Sequence, residues 1–255
     1  MHIDKVVLLN NFAIRSFRDT ADLDYIAARM AYQTHLTPQS LWSALQSIEK
    51  YFKCILLLNG VSIKTQNLGH DIEKALNLII KSVPFSLDLH ESSLKYIKHL
   101  NVYGRYRYLE VSYYSLGEEL VWLDKTVWQI RRYCQTLNDE VELESGEKRS
   151  LLNLNLQRIK NSELKPPHKC NLISGQLEKI IADKKHPARK WLVMQNAFFA
   201  TRERKSIKFP NFMQSQNAPL MLHPEIIEAI SELGFMPKQL IEAYRNEYKL
   251  DNLPI

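Results

Sequence analysis

Six consecutive residues, Tyr103-Gly104-Arg105-Tyr106-Arg107-Tyr108, set two guanidinium groups among three tyrosine rings. Each guanidinium fork takes a phosphate through paired N–H donors, and the rings offer faces on which a base stacks. Tyr103, Arg105, Arg107 and Tyr108 are therefore candidates for holding single-stranded RNA or a nucleotide. The same segment also suits a structural role, with the tyrosines packing the end of a helical bundle and the arginines paired to Glu110, Glu118 or Glu119.

A second candidate lies further along the chain. Residues 148–208 carry 15 basic against 4 acidic residues, a net +11, whereas residues 1–138 carry 16 against 13. Lys184, Lys185, Arg189, Lys190, Arg202, Arg204 and Lys205 cluster around a segment bearing Trp191, Phe198 and Phe199. Phosphate is the usual complement of such a density, and an acidic protein surface is the other. If both patches serve one strand, they line a continuous positive surface. Other chemistry is not written in the chain. There is no glycine-rich phosphate loop, no G-x-S-x-G and no H-E-x-x-H. His168-x-Cys170 lacks two further ligands at metal spacing, so neither a metal nor a cofactor is expected.

The elements that must position these residues read as helices. Thr37 is a hydroxyl N-cap candidate, Pro38 fits the first turn, and Asn59-Gly60 supplies a left-handed C-cap, framing a helix over 38–58. Leu41, Ala44, Leu45, Ile48, Phe52, Ile55 and Leu56 recur at three- and four-residue steps in it. Trp42, Tyr51, Cys54 and Leu58 widen that face until the helix needs neighbours on several sides. Asp19 or Thr20 is read as the cap of a helix ending near Thr34, with Leu23, Ile26, Ala27, Met30 and Ala31 inward. Asp71 opens another carrying Ile72, Leu76, Ile79 and Ile80, and a further helix covers 91–100. The last runs over 118–137, with Leu120, Leu123, Val127, Ile130 and Cys134 or Leu137 inward. An antiparallel bundle follows.

Beyond it, the acidic run from Asp139 to Glu147, with a solvated turn at Glu144-Ser145-Gly146-Glu147, marks a boundary. Two units are expected, 1–140 and 148–255. In the second, Ser174 caps a helix to about Lys184, Pro187 starts one to about Arg204, and Pro224 and Pro237 open two more.

Composition agrees with this all-α expectation. Of 255 residues 45% are hydrophobic, enough for a core, while 7 Gly and 10 Pro are too few for a turn-dense β protein. Cys54, Cys134 and Cys170 are odd in number and far apart, which excludes a disulfide framework. The apolar run Val6–Leu9 is too short for a signal segment, and no stretch approaches a membrane span of roughly 18 residues. A cytoplasmic protein with no membrane partner is expected.

Ala44-Leu45-Gln46-Ser47-Ile48-Glu49-Lys50-Tyr51-Phe52-Lys53-Cys54-Ile55-Leu56-Leu57, then Gly69-His70-Asp71-Ile72-Glu73, then Tyr103-Gly104-Arg105-Tyr106-Arg107-Tyr108, together resemble a HEPN domain over residues 18–138. The resemblance implies a helical bundle, often dimeric, that binds nucleotides or RNA. It also implies a place among the metal-independent ribonucleases or in a prokaryotic defence or toxin–antitoxin system. Active members carry Arg, four to six residues, then His near the start of the last bundle helix. Here Arg131 and Arg132 lack that histidine, and the spacing occurs only at Arg29-x5-His35. In a ribonuclease His35 would act as acid or base at the ribose 2′-hydroxyl while Arg29 steadied the phosphorane. Otherwise His35 ends a helix and Arg29 faces solvent.

Three readings follow: an RNA- or nucleotide-binding protein, a ribonuclease using Arg29 and His35, and an interaction module docking an acidic partner. A homodimer is also expected. Trp122 and Trp128 lie on different faces of the last bundle helix, so one of them needs a second surface.

Overall fold

The computed structural model describes residues 4–64, 66–104, 112–169, 173–204, 206–208, 213–234, 236 and 238–248. An unbroken helical run opens it: α1 (Lys5–Ala13), a π-turn (Ile14–Arg18) and α2 (Asp19–Gln33). Asp4 caps the run by accepting from the Val6 N–H at 2.9 Å. The expected start at Asp19 or Thr20 is therefore not a start. No Gly or Pro interrupts the stretch, and Thr20 Oγ1 donates back to the Ser16 carbonyl at 2.6 Å instead of capping.

After a tight turn comes α3 (Thr37–Leu58), the central helix. Thr37 sits inside its first turn and donates to Gln214 Oε1 at 2.7 Å, so it is not the cap. The far end closes as expected, with Gly60 at φ +71°. Leu41, Ala44, Leu45, Ile48, Tyr51, Phe52, Cys54, Ile55 and Leu56 are all buried. Around α3 stand α1, α2, α4 (Ile72–Ser82), α5 (Glu91–Tyr103) and, after the short β1 (Tyr113–Leu116), α6 (Glu119–Arg131). Asp71 caps α4 by accepting from the Lys74 N–H at 2.9 Å. The α6 stripe Leu120, Leu123, Val127 and Ile130 is buried and continues through Cys134 and Leu137, although regular helix ends at Arg131.

The acidic run forms an exposed hairpin, β2 (Glu140–Glu142) with β3 (Lys148–Ser150). Beyond it lie α7 (Leu152–Ser162), α8 (Gln176–Ala182), α9 (Arg189–Val193), β4 (Met213–Gln216), α10 (Ile227–Leu233) and α11 (Lys238–Tyr248). The helix expected to run from Pro187 to Arg204 is only the five residues of α9. Asn196 Oδ1 accepts from the N–H groups of Phe198 and Phe199, both at 2.9 Å, and so supplies the backbone with a non-helical alternative. Gly175, not Ser174, precedes α8.

The chain is mostly helical, with short strands added. β1 pairs antiparallel with β4, Tyr113 opposite Gln216 and Leu116 opposite Met213, so residues a hundred positions apart meet across the bundle. The boundary drawn at 140–148 falls on the hairpin. The core, however, runs on past it: Ile159, Leu177, Ile180, Leu192 and Phe199 pack in one cluster with the bundle residues. Leu220, Ile227 and Tyr244 form a separate small cluster around α10 and α11. No helix among the described residues is long and apolar enough to cross a membrane.

Candidate functional site

The face that α2 turns inward mixes apolar residues with charge: Ile26 and Ala31 are buried as expected, beside Ala21 and Ala28. Leu23 and Met30, expected inside, are 52% and 43% exposed, and in their place Asp22, Tyr25 and Arg29 are fully buried. The reason is what covers the helix: α8, α9 and the segment after them lie over α2 and bring charges and backbone groups for these side chains to bind.

Two networks make that attachment. In the first, Arg131 at the end of α6 donates from Nε and Nη2 to the two oxygens of Asp22, at 2.7 and 2.8 Å. Its other edge grips both oxygens of Glu178 on α8 at 2.6 Å. Asp22 also accepts from Tyr51 Oη at 2.7 Å and from the N–H groups of Gln176 and Leu177 at 3.1 and 3.3 Å. Gly175 makes this approach possible, because a Cβ there would lie 2.5 Å from Arg131 Nη2. In the second, Arg29 pairs with Asp124 and donates to the carbonyls of Trp191, at 2.9 Å, and of Met194. Tyr25 Oη donates to Asp124 at 2.6 Å and accepts from Asn196 Nδ2 at 2.8 Å.

Burial foremost, and then the carboxylates they touch, hold the Tyr25 and Tyr51 phenols well above their ordinary titration range. Burial raises the Tyr32 and Tyr96 phenols too, so the folded state keeps protons at Tyr25, Tyr32, Tyr51 and Tyr96 that the unfolded chain releases near pH 10. Their contribution is intact below that pH and lost above it. The unfolding free energy from urea titrations is expected to hold steady near neutral pH and to begin falling above about pH 8.5, because burial keeps the Cys134 thiol protonated in the folded state. Beyond pH 10 it should fall by about 1.4 kcal/mol per pH unit for each buried phenol. Tyr51→Phe should lower the slope of the fall by one phenol's share, and a slope identical in the variant would exclude Tyr51 as a source.

Between α6 and the attached segment the networks leave a cleft of about 440 Å³. Trp128, Phe198 and Phe199 give it aromatic walls, and Arg131, Arg132, His168, Lys169, Lys184 and Arg189 give it basic ones. Glu178 is the one carboxylate among the described residues that line it. The cations differ in what they can still bind. Arg131 is saturated by Asp22 and Glu178. Arg132, 4% exposed, lies over the Trp128 ring at 4.0 Å and binds Ile159 O, Ser162 Oγ and Glu163, yet its buried Nε has no acceptor. Among the described residues Arg189 gives only its Nε, to the Ile181 carbonyl at 2.9 Å. Lys169, Lys184 and His168 form no ion pair among the described residues. Unneutralised positive charge beside aromatic surface suits an anion that carries a ring.

Of the basic cluster and its aromatic residues singled out in the sequence, Lys184, Arg189, Phe198 and Phe199 line this cleft. Lys190 instead stands over Trp191, its Nζ 4.4 Å from the ring centroid, and Arg204 donates to the Val193 carbonyl at 2.5 Å. Lys185 and Arg202 are exposed and do not line it. Tyr103 packs against His99 and Tyr114, ring centroids 4.8 and 5.4 Å away, and takes no part in the cleft. Arg105, Arg107, Tyr108 and Lys205 lie outside the described residues. Arg29 is buried in its network and does not face solvent, while the exposed His35 lines a different, smaller cavity. The tryptophans also find their surfaces inside the chain: Trp122 packs near Tyr96, centroids 6.3 Å apart, and Trp128 against Phe198 at 5.7 Å.

Among the described residues no group of three or more His, Cys, Asp and Glu side chains is placed to hold a metal ion. Compared with protein-family models, curated proteins and solved structures, the chain matches none.

Proposed function

We propose that the protein is a HEPN-like bundle that binds RNA or a nucleotide, holding one nucleotide unit in the cleft between α6 and the segment packed on it. The observation that carries this reading is the union, in one cleft, of Lys169, Lys184 and Arg189 with the Trp128 and Phe198 rings. The cations take the phosphate and the rings take the base. The cleft has room for one base with its sugar and phosphate, so a longer strand continues over the basic surface outside.

Each phosphate contact releases counterions, which makes affinity for a single strand fall with salt at a slope of about 0.7 per contact. A fluorescent oligoribonucleotide is expected to bind at low salt. The double reversal Lys184→Glu with Arg189→Glu should weaken that binding about 10-fold or more and lower the salt slope by about 1.4. Competition by a mononucleotide tells a nucleotide site from a strand site. Absence of binding at low salt, or a double reversal that leaves affinity and slope unchanged, refutes the reading.

A further inference from the structure

The helical run that opens the fold, Lys5–Gln33, is about 43 Å long at a rise of about 1.5 Å per residue, and one side of it is uncovered. Leu8, Leu9, Phe12, Leu23 and Met30 are 43–55% exposed there. They belong to one stripe. Leu8, Phe12, Ser16, Thr20, Leu23, Ala27 and Met30 follow at steps of four or three, and the steps of four cross the π-turn, where each turn takes an extra residue. Every member of the stripe is exposed or half-buried, whereas Ala13, Arg18, Ala21, Tyr25, Ala28 and Tyr32, on the other side of the run, are buried. Phe12 is held outward by the Phe17 ring, edge to face at 6.0 Å between centroids. Large apolar side chains lined up on the outside of a helix mark a docking surface. No stripe residue is charged, so covering the stripe buries no charge. Beside it Arg18 matches Asp19 and Lys50 matches Asp24, which leaves Lys5 and Arg15 as the unmatched cations of the run among the described residues. Two cations fall well short of the polybasic patch that anionic lipid needs.

We propose that the protein forms a homodimer in which the Lys5–Gln33 runs of two copies pack antiparallel along this stripe. The stripe complements itself in that arrangement. A two-fold axis between Asp19 and Thr20 sets Phe12 against Ala27, Leu23 against Ser16 and Met30 against Leu9, and symmetry makes each contact twice. A parallel pair would instead set Phe12 on Phe12 and leave Ser16 facing Ser16. Covering the exposed halves of the five large side chains in both copies removes roughly 1,000 Å² from water, at about 100 Å² apiece, which is where specific interfaces begin. α8 and α9 pack on other residues of α2, so the cleft lies outside the interface and the dimer stands or falls without regard to nucleotide binding.

Sedimentation velocity of the full chain over a concentration series is expected to show a reversible dimer at micromolar concentration. Leu23→Glu with Met30→Glu places like charges in the pairing and should weaken it about 10-fold or more, while circular dichroism stays unchanged because both side chains are exposed in the single copy. Phe12→Gln acts in the other half of the stripe and should weaken the dimer about 5-fold or more, which covers the case in which the charged variant fails to fold. Adding Ser16→Lys to Leu23→Glu sets opposite charges face to face in the antiparallel register and should recover most of what Leu23→Glu alone loses. No recovery overturns the antiparallel pairing. A monomer at every concentration, including one that instead floats with anionic phospholipid vesicles, overturns the proposal, as does a dimer whose dissociation constant the stripe variants leave unchanged.

Discussion

Asp22→Asn is expected to lower the unfolding free energy by about 3–5 kcal/mol, the scale for breaking one side of a buried ion pair. The carboxylate is fully buried and accepts from Tyr51, Arg131 and two backbone N–H groups at the start of α8. An amide keeps one acceptor oxygen but places an NH₂ group against donors. Arg131, 3% exposed, would then have only Glu178. Urea unfolding followed by circular dichroism measures the loss. Trp128 and Trp191 sit beside the junction, so tryptophan fluorescence should report the α8 segment leaving the bundle at lower urea than the helices unfold. A change below 1 kcal/mol would mean that Asp22 does not anchor the segment.

The same side chains explain where the sequence was readable. Helix α3 and the α6 stripe were legible because apolar residues at helical spacing go to a dry core, and Asp71 was legible because a cap acts within one turn. Helix α2 defeated that rule. Its apolar residues Leu23 and Met30 point outward because the segment covering its other face brings Glu178 to Arg131 on α6 and carbonyls to Arg29. Hydropathy weighs a buried Arg as solvent-facing unless its counterion is known, and Asp124 stands 95 positions away. The pairing of β1 with β4 is equally remote and has no local sign.

The cleft was legible in part. Lys184 and Arg189 were reached through charge density alone. Trp128, Arg132, His168 and Lys169 were not, because they come together only when the segment after α7 folds onto α6. One signal was available. Arg131-Arg132 ends a helix whose spacing buries Ile130 and Cys134, and charges placed there demand partners. Asp22, in a helix that must pack on α6, was the acid in reach of Arg131.

The Arg29–Asp124 pair permits a sharper separation of attraction from desolvation. Arg29→Met alone leaves Asp124 buried with only the Tyr25 hydroxyl, and Asp124→Leu alone leaves Arg29 buried without a counterion. Burial already pushes the Asp124 carboxyl above its ordinary range against the pull of Arg29 and the Tyr25 hydrogen bond, so removing the cation should leave Asp124 protonated at neutral pH. That relief makes Arg29→Met the milder single change, at about 3 kcal/mol against about 5 for Asp124→Leu. The double variant removes both charges, but it orphans the Trp191 and Met194 carbonyls that Arg29 now satisfies, each at about 1–3 kcal/mol. It is therefore expected to cost no more than Asp124→Leu alone, a coupling of at least about 3 kcal/mol in a cycle of unfolding free energies from urea titrations. Strict additivity would mean that the two side chains act separately. The residual cost should fall on residues 191–199, where faster amide exchange in the double variant than in the bundle helices would show that Arg29 is the bond holding the C-terminal wall in place.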